Sequence, residues 1–274
     1  VTDRLVVLSG GQDSTTCLFW AIAQGAGQVT AVTFDYGQRH RLETGAARTV
    51  AGLAGVSLRL VEIGPILEGR SPLTNPQEEL EQYSDFTSMD QIIGGRVELT
   101  FVPMRNALFL TLAANMAAAR GIPRIVTGVC QADNANYPDC RRSFVDSMES
   151  MITEALGETS IAIETPLMDL PKVETVRLAM SLPGCYQALA YSHTAYDGTY
   201  PPSGRDHATV LRAHGFEQSG VPDPLLARAV LEGLIPPPPA PNYDILRQRN
   251  VPKDVAELCQ AVGAAPMPPR HRAA

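Results

Sequence analysis

Residues 5–18, reading LVVLSGGQDSTTCL, restrict what this chain can fold into more than any other stretch. Leu5, Val6, Val7 and Leu8 have the length and branching of a buried parallel strand, and a Ser-Gly-Gly turn then leads into a helix beginning near Ser14. Such a turn sits at the carboxyl end of a strand, where open α/β sheets bind ligands. Gly10 and Gly11 carry no side chain, so the backbone can take positive φ and present successive N–H groups, and the helix amino terminus adds partial positive charge. That combination holds phosphate. The turn lacks the Lys-Ser/Thr ending of a Walker loop, which disfavours ordinary kinase or GTPase chemistry.

Residues 29–34 (VTAVTF) read as a second strand, ending in Asp35-Tyr36-Gly37-Gln38-Arg39-His40. The same topology puts this polar cluster beside the phosphate turn, where an aromatic ring, an amide, a guanidinium and an imidazole suit a nucleotide pocket; a plain polar loop has the same composition. A helix over 40–53 and a strand over 58–63 complete a β-α-β-α-β unit, so the expected fold is α/β with a doubly wound, mostly parallel sheet. Periodicity is lost over 64–97, where Pro65, Pro72 and Pro76, the acids Glu78, Glu79 and Glu81, and the pair Gly94 and Gly95 make an insertion over the carboxyl edge, a lid or a disordered span.

Phe101-Val102-Pro103-Met104-Arg105-Asn106 then opens a small-residue helix over 107–120. Arg105 and Asn106 bring a guanidinium and an amide to a helix dipole, which suits an anion; capping by Asn106 is the plainer alternative. A strand over 124–128 ends at Gly128 and runs into a loop carrying Asp133, Tyr137, Pro138, Asp139 and Arg141. A flat heteroaromatic ligand can stack on Tyr137 while Asp133 and Asp139 accept hydrogen bonds from ring N–H and exocyclic amine groups. Phe144, Met148, Ile152 and Ala155 fall at helical spacing and read as core. After a strand over 160–164, Lys172 begins a helix at the same edge, placed either to reach phosphate or simply to solvate a helix start.

The chain has 274 residues, 45% of them hydrophobic, enough for one large α/β domain with additions. Its net charge of −7 opposes unsteered binding to a polyanion, so no direct nucleic-acid partner is expected. The longest apolar run is too short to span a bilayer and the amino end lacks a secretory pattern, so the expectation is a soluble cytoplasmic protein without membrane contact. Cys17, Cys130, Cys140, Cys185 and Cys259 are an odd number without close pairs, which argues against a disulfide framework and a local metal knuckle.

Ser9, Gly10, Gly11, Gln12, Asp13, Ser14 and Thr15 resemble the SGGxDS loop of the N-type ATP pyrophosphatases (PP-loop), and the longer pattern is more specific. SGGQDSTTCL, FDYGQRH, FVPMRN, GVCQAD, YPDCR, ETPL and SHTAYDGTYPP, in this order, resemble the 7-cyano-7-deazaguanine synthases (QueC) over roughly residues 5–224. The resemblance implies that ATP adenylates the carboxylate of 7-carboxy-7-deazaguanine, that ammonia displaces AMP to give the amide, and that a second ATP activates the amide so that the nitrile forms. It also implies Mg²⁺ with ATP, a structural Zn²⁺ and a homodimer. Carried over, Ser9, Gly10, Gly11, Gln12, Asp13, Ser14, Thr15, Phe34, Tyr36, Gln38, Arg39 and Gly128 hold the nucleotide, and Asp13, Arg105, Asn106 and Lys172 serve the reaction. Asp133, Tyr137, Pro138, Asp139 and Arg141 face the deazaguanine. The expected organisation is an ATP-binding α/β domain over 1–184, a helical region over 185–235 and a proline-rich extension over 236–274, with short helices over 225–234 and 255–262.

Two departures stand out. The family holds zinc with four cysteines in a C-x₇-C-x₂-C-x₂-C run after Ser-His-Thr, and here Ala195, Ser203, Asp206 and Thr209 occupy those positions, so zinc is expected to be absent. Packing of Tyr196, Tyr200 and the extension is expected in its place, and the extension either covers that region or docks on a partner. Met104 stands where the family has glycine before Arg-Asn, and is expected to fill space near the reactive carboxylate. These departures keep open a relative that stops at the amide and joins the deazaguanine to another amine, a protein amine included, as in antiviral defence, and a silent nucleotide- or deazaguanine-binding module.

Overall fold

The computed structural model describes residues 2–25, 27–39, 42–75, 77–132, 136–157 and 160–268. Five parallel strands run in the order β3-β2-β1-β4-β5: β1 (Arg4–Val7), β2 (Val29–Asp35), β3 (Ser57–Glu62), β4 (Arg124–Val126) and β5 (Ala162–Glu164). The chain winds outward from β1 to β3, returns to the other side of β1 with β4, and so reverses direction between β1 and β4. In an open α/β sheet this reversal leaves a crevice at the carboxyl ends of the two strands, and the Ser-Gly-Gly turn leaves β1 there.

Alternation along each strand divides the core into two layers. Val6, Leu8, Ala31 and Val126 face α1 (Gln12–Ala23) and α2 (Leu42–Ala54), whereas Leu5, Val32, Phe34, Ile125 and Ile163 face the other side. There lie α4 (Arg105–Ala118), whose alanines permit close approach to the sheet, and α5 (Arg142–Leu156). On α5 Met148 and Ile152 are buried and Phe144 packs against the same layer, as their spacing predicts, joined by Val145; Ala155 is exposed.

The insertion is not without structure. It contains α3 (Phe86–Ile93), started by a capping box in which Asp85 accepts from the Ser88 N–H and the Ser88 hydroxyl receives the Asp85 N–H. Met89 and Ile93 are buried against Val210 and Leu211 of α8 (His207–Ser219), and Phe86 stacks on His214 with ring centroids 3.7 Å apart. Short α6 (Lys172–Ser181) and α7 (Cys185–Leu189) complete the first layer, and α9 (Pro224–Leu231) follows α8. Arg212 of α8 is 2% exposed and grips Asp223 through Nε and Nη2 at 2.6 and 2.7 Å, while Nη1 donates to Ser192 and Thr194. Each of those polar groups is thereby satisfied inside the core, as burial of a charge requires.

The carboxyl-terminal extension packs on its own chain. Residues of α10 (Val255–Ala261) and Ala264 join the first core layer, the Gly184 N–H donates to Ala265 O at 3.0 Å, and the Ala265 N–H donates to Met180 O at 2.8 Å. Gly184 has φ +78 and a Cβ there would lie 2.3 Å from the Met267 sulfur, so Met267 seals the start of α7.

Candidate active site

The glycine turn is held by its own serines. Ser14 Oγ accepts from the N–H groups of Ser9 and Gly10, both at 3.2 Å, and the Gly11 N–H donates to Ser9 Oγ at 3.3 Å. The two glycines differ. Gly10 has φ +93, and a Cβ on it would lie 2.5 Å from Glu43 O and 2.6 Å from Ala47 N at the start of α2. Gly11 has φ −78, ordinary for any residue, and serves as the N-cap of α1 without a side-chain cap, which leaves the first-turn amides to an anion. Gly128 leaves β4 close beside this turn, where a Cβ would meet the Ser14 nitrogen at 3.1 Å.

Next to the turn, Lys172 Nζ lies 3.0 Å from both carboxylate oxygens of Asp13, with its side chain only 8% exposed. The lysine starts α6 and its stem passes Gly215 of α8, where a Cβ would lie 2.6 Å from Lys172 Cγ. The His193 N–H donates to Gly10 O at 2.8 Å and ties the segment before α8 to the turn.

These groups line one cavity of about 250 Å³. Of the residues expected to bind nucleotide, Ser9, Gly11, Gln12, Asp13, Ser14, Phe34, Tyr36, Gln38 and Gly128 line it, joined by Arg105, Asn106, Lys172 and Tyr137. Phe34 stacks on Phe109 at 4.6 Å, and the Tyr36 N–H donates to Gln38 Oε1 at 3.0 Å. Tyr137 is anchored from behind by the stretch that follows the insertion: its hydroxyl bonds Thr100 and donates to Glu98 Oε2 at 3.1 Å, and Glu98 is 2% exposed.

Other expected residues lie elsewhere. Gly10 and Thr15 sit behind the turn, Gly10 filled against α2 and Thr15 fully buried, because a helix start shows the cavity only one side. Arg39 points away and donates to Glu78 O at 3.3 Å, clasping the insertion. Asp139 holds the start of α4, its Oδ2 accepting from the Asn106 N–H at 3.4 Å and its carbonyl from Asn106 Nδ2 at 3.2 Å, and burial raises its carboxyl against the pull of Arg105. Pro138 begins a 3₁₀ turn (Pro138–Cys140) and Arg141 is the exposed N-cap of α5, so neither lines the cavity. Asp133 and His40 lie outside the described residues.

The cavity also collects residues to which the sequence assigned no part in it. Glu43 stands in its wall, where desolvation pushes the carboxyl up to about 7 while the Arg105 guanidinium pulls it down. Tyr196, Cys140 and His207 line it as well. Each reaches the site through tertiary packing, so only the polar character of FDYGQRHRLE gave any hint of Glu43.

The family model described as "Queuosine biosynthesis protein QueC" matches residues 3–220. The chain belongs to the QueC family. It is similar to the 7-cyano-7-deazaguanine synthase of Laribacter hongkongensis, 48% identical over 82% of this chain and 94% of the relative. Those of Chromobacterium violaceum and Gloeobacter violaceus are 46% and 47% identical, over 83% and 81% of this chain and 94% of each relative.

In this QueC-family chain the segment with the four replaced cysteines is built from hydrogen bonds. Ala195 is fully buried and has no donor atom to offer. Asp206 caps α8, its Oδ1 accepting from the Thr209 N–H at 3.0 Å, and the Thr209 hydroxyl donates back to the Asp206 carbonyl at 3.0 Å. Ser203 bonds the Asp197 carboxylate. These side chains do not fit a tetrahedral zinc site, and among the described residues no group of three or more His, Cys, Asp or Glu is placed to hold a metal ion. Tyr200 stacks under Arg228 at 4.2 Å and donates to Glu232 at 2.7 Å, tying the segment to α9. The larger support is α3 of the insertion, together with the Tyr83 N–H donating to Arg205 O at 2.7 Å.

Met104 does not fill the cavity. It is 69% exposed, and what its position demands is a backbone with φ 64 at the N-cap of α4.

No helix among the described residues is long and apolar enough to cross a membrane.

Proposed function

We propose that this chain uses ATP to adenylate the carboxylate of 7-carboxy-7-deazaguanine and then joins an amine to it, as its similarity to 7-cyano-7-deazaguanine synthases suggests. The observation that carries the reading is that one cavity at the strand reversal brings together the glycine turn, Lys172, Arg105, Asn106 and Tyr137. The uncapped first turn of α1 and the Lys172 ammonium offer charge to phosphate oxygens, and Arg105 offers a guanidinium to the carboxylate that attacks the α-phosphate. The carboxylate oxygen forms a bond to phosphorus, pyrophosphate leaves with the electron pair, and fixed positive groups stabilise the charge that builds up.

In the second step the amine lone pair attacks the carbonyl carbon, the bond to AMP breaks with its electron pair on AMP, and the surplus proton on nitrogen passes to solvent. Neither step needs a protein nucleophile; both need two reactants held in line. Tyr137, fixed through Glu98, supplies a ring for the heterocycle to stack on. Asp13 is the carboxylate nearest the turn and is already paired with Lys172, so Mg²⁺ fits here as an ion carried mainly by phosphate oxygens, where it would neutralise their charge.

Completion of the nitrile by a second ATP is part of this reading, supported by the 46–48% identity to enzymes named for that product. Incubating the protein with ATP, ammonium and the deazaguanine acid, and following acid, amide and nitrile by mass spectrometry, tests it. AMP formation that depends on the acid, with nitrile accumulating, is the expected result. Amide alone would shift the assignment to an amide-forming ligase, and no AMP under any condition would refute it.

A further inference from the structure

His207 is the first residue of α8, is 4% exposed and lines the cavity, yet its Nε2 has no hydrogen-bond partner among the described residues. A buried polar atom left unpaired costs about 1–3 kcal/mol, and a side chain without such an atom would avoid that cost at no loss of packing. Burial is the largest influence on the ring and keeps it neutral, lowering its pKa to about 4; Glu98 opposes this and Lys172 reinforces it, and these are the charged groups that bear on it. In the tautomer with the proton on Nδ1, Nε2 is an acceptor that meets no donor among the described residues.

The charged groups of this wall are donors or are already engaged, the Glu43 carboxylate facing the Arg105 guanidinium. Lys172 and Arg105 are donors only, suited to phosphate and carboxylate, and the Asp13 carboxylate already receives Lys172. An incoming amine is the one reactant of the proposed chemistry that brings N–H donors to the reacting carbon. The Lys172 charge bears on the ring, so His207 stands on the side of the cavity where Lys172 lies.

We infer that His207 is the amine-binding residue of this site, its Nε2 accepting a hydrogen bond from the incoming amine and keeping the nitrogen lone pair turned to the acyl adenylate. This rests on the adenylation reading above, and it assigns a specificity to the region where the family's cysteines are missing.

The test separates the two half-reactions in the full-length protein. Exchange of pyrophosphate into ATP, with the deazaguanine acid present, reports adenylation; amide formation against ammonium concentration reports amine binding. His207→Leu is expected to keep exchange within about twofold and to raise the ammonium KM roughly tenfold, the worth of one hydrogen bond. His207→Asn, with an acceptor of its own, is expected to recover part of that loss and supplies the measurement should the leucine variant not fold. An unchanged ammonium KM with normal exchange would overturn the assignment to His207. A fall in exchange with an unchanged ammonium KM would overturn it too, and would place His207 against the acid or the nucleotide. A parent chain without exchange would refute the adenylation reading, and the assignment with it.

Discussion

Asp206→Asn is expected to make the protein more stable than its parent at pH 8, with the difference vanishing toward pH 4. Burial raises the Asp206 carboxyl from 3.8 to about 6, so the folded chain binds this proton more tightly than the unfolded one. A group raised in this way gives its full stabilisation below about pH 4 and loses it as pH rises through about 6. The gap of about 2 units, at 1.36 kcal/mol each, makes the ionised aspartate cost up to about 3 kcal/mol above pH 7. Asparagine mimics the protonated acid: it keeps the oxygen that caps the Thr209 N–H, stays neutral at every pH, and is as good an N-cap as aspartate. For a chain of this size the gain at pH 8 corresponds to roughly 6–12 °C in Tm. Thermal melts and urea titrations of both proteins between pH 4 and pH 8 measure it. A gain that does not depend on pH, or one that shrinks as pH rises, would refute the reasoning.

Gly10→Ala is expected to cost about 3 kcal/mol or more in urea titration and to abolish ATP binding by calorimetry, because backbone atoms of α2 stand 2.5 and 2.6 Å from the new Cβ; Gly11→Ala, with its nearest neighbours at 3.5 Å and φ −78, should stay within about 1 kcal/mol of the parent. Similar losses in both would contradict the geometry. Met104→Gly should stabilise by about 0.5–1 kcal/mol, the relief of left-handed strain less the entropy that glycine adds to the unfolded chain, and should leave the ratio of amide to nitrile unchanged because Met104 is 69% exposed. A changed product ratio would return Met104 to the site. Prolonged chelation with EDTA is expected to leave Tm within about 1 °C, since Ala195, Ser203, Asp206 and Thr209 do not fit zinc; a large fall would show a structural metal bound by other means.

Much of the architecture was legible without coordinates, for a local reason. A run such as LVVL followed by Ser-Gly-Gly and a helical pattern specifies strand, turn and helix through short-range sterics, and alternation of such units leaves a parallel sheet as the compact solution. The strands, α1, α2 and α4 to α6 fall within a few residues of where their patterns put them. The helix within the insertion escaped because it is only eight residues long inside a stretch broken by prolines and glycines, although Phe86, Met89 and Ile93 fall at helical spacing and the Asp85-x-x-Ser88 spacing of its capping box was there to be read.

By itself, then, the sequence determined the sheet, the turn at its centre and the types of residue that gather there, since strand alternation and glycine steric freedom act over a few neighbouring residues. Tertiary structure alone decided which of them meet. Lys172 finds Asp13 across 159 residues, Glu98 fixes Tyr137 from just beyond the insertion, and His207 enters the cavity because α8 is pinned by α3 on one side and Arg212 on the other. Arg39 and Asp139, similar in type and placement, turn to carbonyl and amide groups outside the cavity instead. Where a side chain at the end of an element points depends on partners far away in the chain, and that dependence has no local signature.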